Sequence, residues 1–155
     1  MRIEKLTRSR LDYPALRRSV VEAARQFAVE AGYPFPVNGE HFLKFWEQML
    51  ETGFGSFYAA VDESDAVHGG FGGLFFPDSF SGELHASESF WFLNPEVRGT
   101  SVGLKLFNSF EAEAKERGCK AIVMIHLAGL NEAPLDKLYA RKGYVRAEQI
   151  FRKIL

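Results

Sequence analysis

Residues 91–103 read Trp-Phe-Leu-Asn-Pro-Glu-Val-Arg-Gly-Thr-Ser-Val-Gly, the stretch of this chain best suited to hold an anion. An apolar run ends at Pro95, and Arg98, Gly99, Thr100, Ser101, Val102 and Gly103 then open an amphipathic helix. The first turn of a helix has backbone N–H groups without intrahelical partners and carries the positive end of the helix dipole. Glycines let a phosphate approach such a turn closely, and Arg98 adds a charged donor. The same residues also suit a plain helix start capped by Thr100 or Ser101, so composition alone leaves both readings open.

Proton transfer needs a titratable side chain beside the reacting atoms. Glu83, His85 and Glu88 lie in the extended segment 83–94. Alternation puts Glu83 and His85 on one face and Glu88 on the other with Leu84, Ala86 and Phe90, unless a bulge shifts the register. A carboxylate among apolar neighbours needs a partner or a raised pKa, and both are common at functional sites, which singles out Glu88. The alternative is an exposed strand charge. His126, at the end of an apolar strand, reads as a structural histidine, and Cys119 as a small buried residue. No spaced set of His, Cys, Asp and Glu suggests a metal site, and none is expected.

These groups need a scaffold. Residues 1–6 alternate weakly as an edge strand. Asp12 can cap a helix with Leu16, Val20, Ala24, Phe27 and Ala31 on one face, stopped by Gly32. A proline-containing loop at 33–39 precedes a helix with Phe42, Phe45, Trp46, Met49 and Leu50 at three- and four-residue spacing. Strands 56–61, 67–76 and 83–94 follow as an antiparallel meander. Gly69, Gly70, Gly72 and Gly73 precede no helix, so they mark a bulge or close packing rather than a phosphate loop. Then come a helix at 102–117, a buried strand at 121–127, a helix starting near Asn131 and carrying Leu135, Leu138 and Tyr139, and a strand at 144–155. The order is mixed α/β, with hairpins first and crossovers later.

The bulk composition narrows the classes further. A chain of 155 residues with 46% hydrophobic and 25% charged residues matches a single folded domain spanning 1–155. Nineteen basic and twenty acidic residues nearly cancel, so no summed field draws the chain to nucleic acid or an anionic membrane. One cysteine excludes an internal disulfide framework, and with no long apolar run or signal pattern the chain reads as cytoplasmic. Fifteen Phe, five Tyr and two Trp point to a bulky aromatic core.

Two of these stretches together resemble the GNAT superfamily of N-acetyltransferases. Arg98, Ser101 and Gly103 fall on the family's Arg/Gln-x-x-Gly-x-Gly/Ala pyrophosphate loop, with Ser101 where glycine is usual. Asn131, Leu138, Tyr139, Arg141, Gly143 and Tyr144 are similar to its Asn-x-x-Ala-x-x-Leu-Tyr-x-Lys/Arg-x-Gly-Phe/Tyr segment. The resemblance implies an α/β fold with a mostly antiparallel sheet of about six to seven strands, splayed in the middle and flanked by about four helices. It implies acetyl-CoA or another acyl-CoA as cosubstrate, held by the backbone of Phe92 and Leu93, by residues Arg98, Gly99, Thr100, Ser101, Val102 and Gly103, and by Asn131. It further implies transfer to a small-molecule or peptide amine, with Tyr139 as general acid and a carboxylate or histidine such as Glu88 as base. A non-catalytic acyl-CoA-binding protein is the alternative. Exposed strand edges favour a homodimer.

Overall fold

Strand β1 (Arg2–Lys5) is followed by a 3-10 turn at Arg10–Asp12 and by helix α1 (Pro14–Glu30). Asp12 ends that turn instead of capping the helix. Pro14 takes the first helical position, where its fixed φ fits and its missing N–H costs nothing. Helix α2 (Gly39–Thr52) is capped by Asn38, whose Oδ1 accepts from the His41 N–H at 3.0 Å. Strands β2 (Gly55–Val61), β3 (Val67–Pro77) and β4 (Leu84–Leu93) form the expected meander. Helix α3 (Val102–Glu116) then crosses to strand β5 (Ala121–Val123), and helix α4 is Glu132–Arg141. This computed structural model describes residues 1–127 and 132–155, which divide into two compact units, Met1–Ile125 and His126–Leu155.

In the first unit the sheet order is β1-β2-β3-β4-β5, antiparallel except for the parallel pair β4–β5. That pair is parallel because α3 carries the chain back across one face of the sheet. On the other face, α1 and α2 bury Leu16, Val20 and Trp46 against Phe57, Phe90 and Phe92. On the α3 face, Phe107 and Phe110 pack against Phe71, Phe75 and Trp91. The aromatic residues therefore fill two layers of core. The glycines of β3 make room for them: a Cβ on Gly73 would stand 2.0 Å from the Phe110 ring, and one on Gly72 2.4 Å from Phe90.

A charged knot ties β1, β2 and α3 together. Buried Glu113 accepts from Lys5 Nζ, Ser56 Oγ and Arg117 Nε, each at 2.8 Å, and from the Tyr58 hydroxyl at 2.6 Å. Burial pushes its carboxyl up, but these donors outweigh it and hold the pKa at about 2.

The sheet has five strands among the described residues, fewer than the six to seven expected. One expected strand is shortened and another is missing. The strand expected at 121–127 ends at Val123, because its ladder with β4 stops at the Ser87–Val123 pair. Residues 144–155 form no strand: their unit offers no described strand to pair with, and Val145, Ile150, Phe151 and Leu155 are exposed. No described helix is long and apolar enough to cross a membrane.

Candidate active site

The ladder between β3 and β4 slips once, from Gly72 opposite Phe90 to Gly73 opposite Glu88, so Ser89 is an extra residue on β4. Paired residues share a face. Gly72 lies against Trp46 and Gly73 against Phe110, so the bulge sends Phe90 to the α1–α2 side and turns Glu88 away from it. Simple alternation would have kept the two together.

Just before the bulge, β4 and β5 part. Their pairing covers only His85–Ala121, Ala86–Ile122 and Ser87–Val123. The Glu88 carboxylate bridges the opening, Oε2 accepting from the Ile125 N–H at 3.1 Å. Glu88 is 8% exposed, and burial pushes its pKa up to about 8 against the opposing effect of the Ile125 N–H. The other two candidate bases differ. Glu83 lies in the exposed turn before β4, its C=O accepting from Asp78 N–H, and His85 is half-buried opposite Ala121.

Beyond the parting, one edge of β4 has no strand beside it among the described residues. The Asn94 N–H donates to His68 C=O at 2.9 Å, which sets the phase of the ladder. Bonded and non-bonded pairs alternate, so Phe92 exchanges bonds with Gly70, while the main-chain groups of Trp91 and Leu93 turn to the open edge. The expectation that Phe92 offers its backbone there is corrected accordingly: Trp91 and Leu93 do so. The Phe92 ring instead packs 6.1 Å from Phe27 of α1.

The open edge runs into the loop at 98–103. Gly99 has φ of 76°, a left-handed conformation that the open turn requires. Thr100 Oγ1 donates to Val97 C=O at 2.6 Å and accepts from Val102 N–H at 3.3 Å, so part of the helix-cap reading holds. Ser101 forms no side-chain cap; its C=O accepts the first helical bond, from Lys105 N–H. Gly103 keeps the helix close to β4, since a Cβ there would stand 2.8 Å from Leu93. The Arg98 side chain turns back: its Nε donates to Leu93 C=O at 2.9 Å, and its Nη atoms pair with Glu30 at 2.6 and 2.5 Å.

Next to this loop His68 stands between Asp62, 2.8 Å from Nε2, and Glu96, 3.1 Å from Nδ1. Hydrogen bonding to Asp62 leads in raising its pKa. Both ring nitrogens can donate only in the imidazolium form, so this pair of carboxylates favours the cation. His68, without any supporting pattern in the sequence, thus ties the β2–β3 turn to the residues just ahead of Arg98.

In the second unit, Tyr139 lies on α4 with its ring 5.7 Å from that of Tyr144, and its C=O accepts from the Tyr144 N–H at 2.9 Å. His126 Nδ1 stands 3.5 Å from Asp136 Oδ1. Asn131 lies outside the described residues. No group of three or more His, Cys, Asp or Glu among the described residues could hold a metal ion.

The sheet thus parts beside one bulged strand, β4, which feeds into a glycine-containing helix start. The model of the Acetyltransferase (GNAT) family matches residues 20–144, and the chain belongs to that family. Solved structures share the fold. An aminoglycoside acetyltransferase from an uncultured soil metagenomic sample, in complex with sisomicin, aligns with a TM-score of 0.73 at 17% identity, covering 99% of this chain and 95% of that one. A predicted acetyltransferase with acetyl-CoA from Clostridium acetobutylicum gives 0.75 at 12% identity, over 99% and 95%. Ribosomal-protein-alanine N-acetyltransferase from Brucella melitensis biovar Abortus 2308 gives 0.64 at 15%, over 100% and 99%. No curated protein matches the chain significantly in sequence.

Proposed function

We propose that this protein is an acetyl-CoA-dependent N-acetyltransferase acting on an amine, and that both units belong to one catalytic domain, as the family match across 20–144 favours. The observation that carries the reading is the continuous run from buried Glu88, through the open edge of Trp91 and Leu93, to the helix start at Ser101. Acetyl-CoA would supply the thioester carbonyl that the amine attacks. The backbone of Trp91 and Leu93 fits an extended amide-bearing arm, which would pair with β4 as a further strand does. The loop fits a pyrophosphate: Gly99 opens the turn, a helix start carries N–H groups without intrahelical partners, and Arg98 precedes it with a guanidinium now held by Glu30.

The protein's own groups then handle the protons. An amine must be neutral to attack, and a carboxyl with a pKa of about 8 is well matched to take its proton near neutral pH. Glu88 is that base in our reading, acting directly or through water. Tyr139 is the general acid that returns a proton to the leaving thiolate, a match for a phenol of ordinary pKa near 10. The acceptor is a small-molecule or peptide amine. Mass spectrometry of an amine panel incubated with protein and acetyl-CoA tests the reading: an acetylated amine in the panel supports it, and CoA binding without transfer to any member points to a binding protein.

A further inference from the structure

Glu30, the last residue of α1, is joined to Arg98 by two parallel hydrogen bonds, Nη1 to Oε1 and Nη2 to Oε2. The third point of the guanidinium, Nε, holds Leu93 C=O. The planar fork of arginine grips a carboxylate and a phosphate with the same paired geometry, so Glu30 presents to Arg98 what a phosphate group would present. Both partners are more than a third exposed and line one open groove of about 450 Å³, with Phe27, Phe92 and Pro95 on its walls. The pair can therefore open without unpacking the core.

We propose that Glu30 is a built-in competitor for the cofactor's phosphate at Arg98, so that cofactor binding exchanges one anion for another and releases the end of α1. This rests on the cofactor reading above and adds a regulator to it. While the pair is closed, the charge of Arg98 is neutralised, and Leu93 C=O is occupied by Nε rather than left for the cofactor arm. Glu30 thus lowers cofactor affinity, whereas a residue that merely positioned Arg98 would raise it.

Titration calorimetry with CoA, on the full chain at low salt, separates these outcomes. Wild type, Glu30→Gln, Arg98→Gln and the double variant are compared, with melting temperatures confirming that all four fold. An exposed pair is worth little, so Glu30→Gln should bind CoA about three- to fivefold more tightly than wild type. In the Arg98→Gln background the same change should have little effect, because the competition needs the guanidinium. Equal or weaker binding by Glu30→Gln overturns the inference while leaving the cofactor reading intact. So does an equal gain in both backgrounds, since that would be simple repulsion between Glu30 and the ligand. If neither wild type nor Glu30→Gln binds CoA, the cofactor reading falls and this inference falls with it.

Discussion

The Glu88 carboxylate accepts the Ile125 N–H at 3.1 Å, across the opening where β4 and β5 cease to pair. A side chain thus satisfies a backbone donor that the ladder has abandoned, and a buried acid sits at the head of the gap. Partnering one N–H does not offset its burial, which leaves the pKa at about 8.

For a base, that value fixes the sign of the pH dependence. The ionised form is needed, so acyl transfer by wild type should rise with pH and level off above about 8. Glu88→Gln keeps the shape, and its amide oxygen can still accept from Ile125. It should slow transfer about 10²–10⁴-fold and lose the rising limb. The two roles of Glu88 also part in stability. Its folded pKa lies above the ordinary 4.5, so wild type loses stability as pH rises from about 4.5 to about 8, and the Gln variant should lack that decline in thermal melts. A variant with wild-type rate and limb assigns Glu88 to the gap alone.

The loop at 98–103 makes its own prediction. A ligand that binds only the folded state stabilises it by about 2.7 kcal/mol at a hundredfold excess over Kd, roughly 5–10 °C in Tm for a chain of this size. CoA should produce such a shift, and Arg98→Glu, which sets an acid beside the pyrophosphate, should reduce it. An undiminished shift in that variant would make the loop only a helix start.

How much of this was legible in the sequence depends on how local each feature is. The Arg98–Gly103 loop was legible because Pro95 ends a strand and a four-residue apolar period begins at Val102, both properties of neighbouring residues. Glu88 stood out as an acid among apolar side chains. The bulge at Ser89 did not, because it depends on Gly72 and Gly73 facing two different aromatic layers. The choice of Trp91 over Phe92 at the open edge is a matter of ladder phase, fixed by His68 and Asn94. Glu30 at a helix end carried no signal at all, since its partner lies 68 residues away. A strand was expected at 144–155, but a strand also needs a ladder, and the second unit supplies none among its described residues.

Glu113 gives a prediction about the scaffold alone. Its pKa of about 2 lies below the ordinary 4.5, so its contribution to stability is complete above about 4.5 and fades as pH falls toward 2. Glu113→Gln removes the charge that Lys5 and Arg117 share and should cost about 3 kcal/mol at pH 7, on the order of 10 °C in Tm. Half-exposed Lys5 keeps the loss from being larger. The gap between variant and wild type should narrow in acid. A gap that stays constant down to pH 2 would mean that the charge does not drive the effect.

Tyr139→Phe separates an enzyme from a binder. One oxygen is removed and the ring still packs against Tyr144, so folding and CoA affinity should change little. Acyl transfer should nevertheless slow by about 10²–10⁴-fold, the usual worth of a general acid, because the leaving thiolate loses its proton source. The rate of wild type should also fall at high pH as the phenol ionises, and that limb should vanish in the variant while the rise assigned to Glu88 remains. Single-turnover rates with excess protein isolate the chemical step from product release. If they are equal for Tyr139→Phe and wild type, the phenol is not the acid, and α4 serves the fold rather than the reaction.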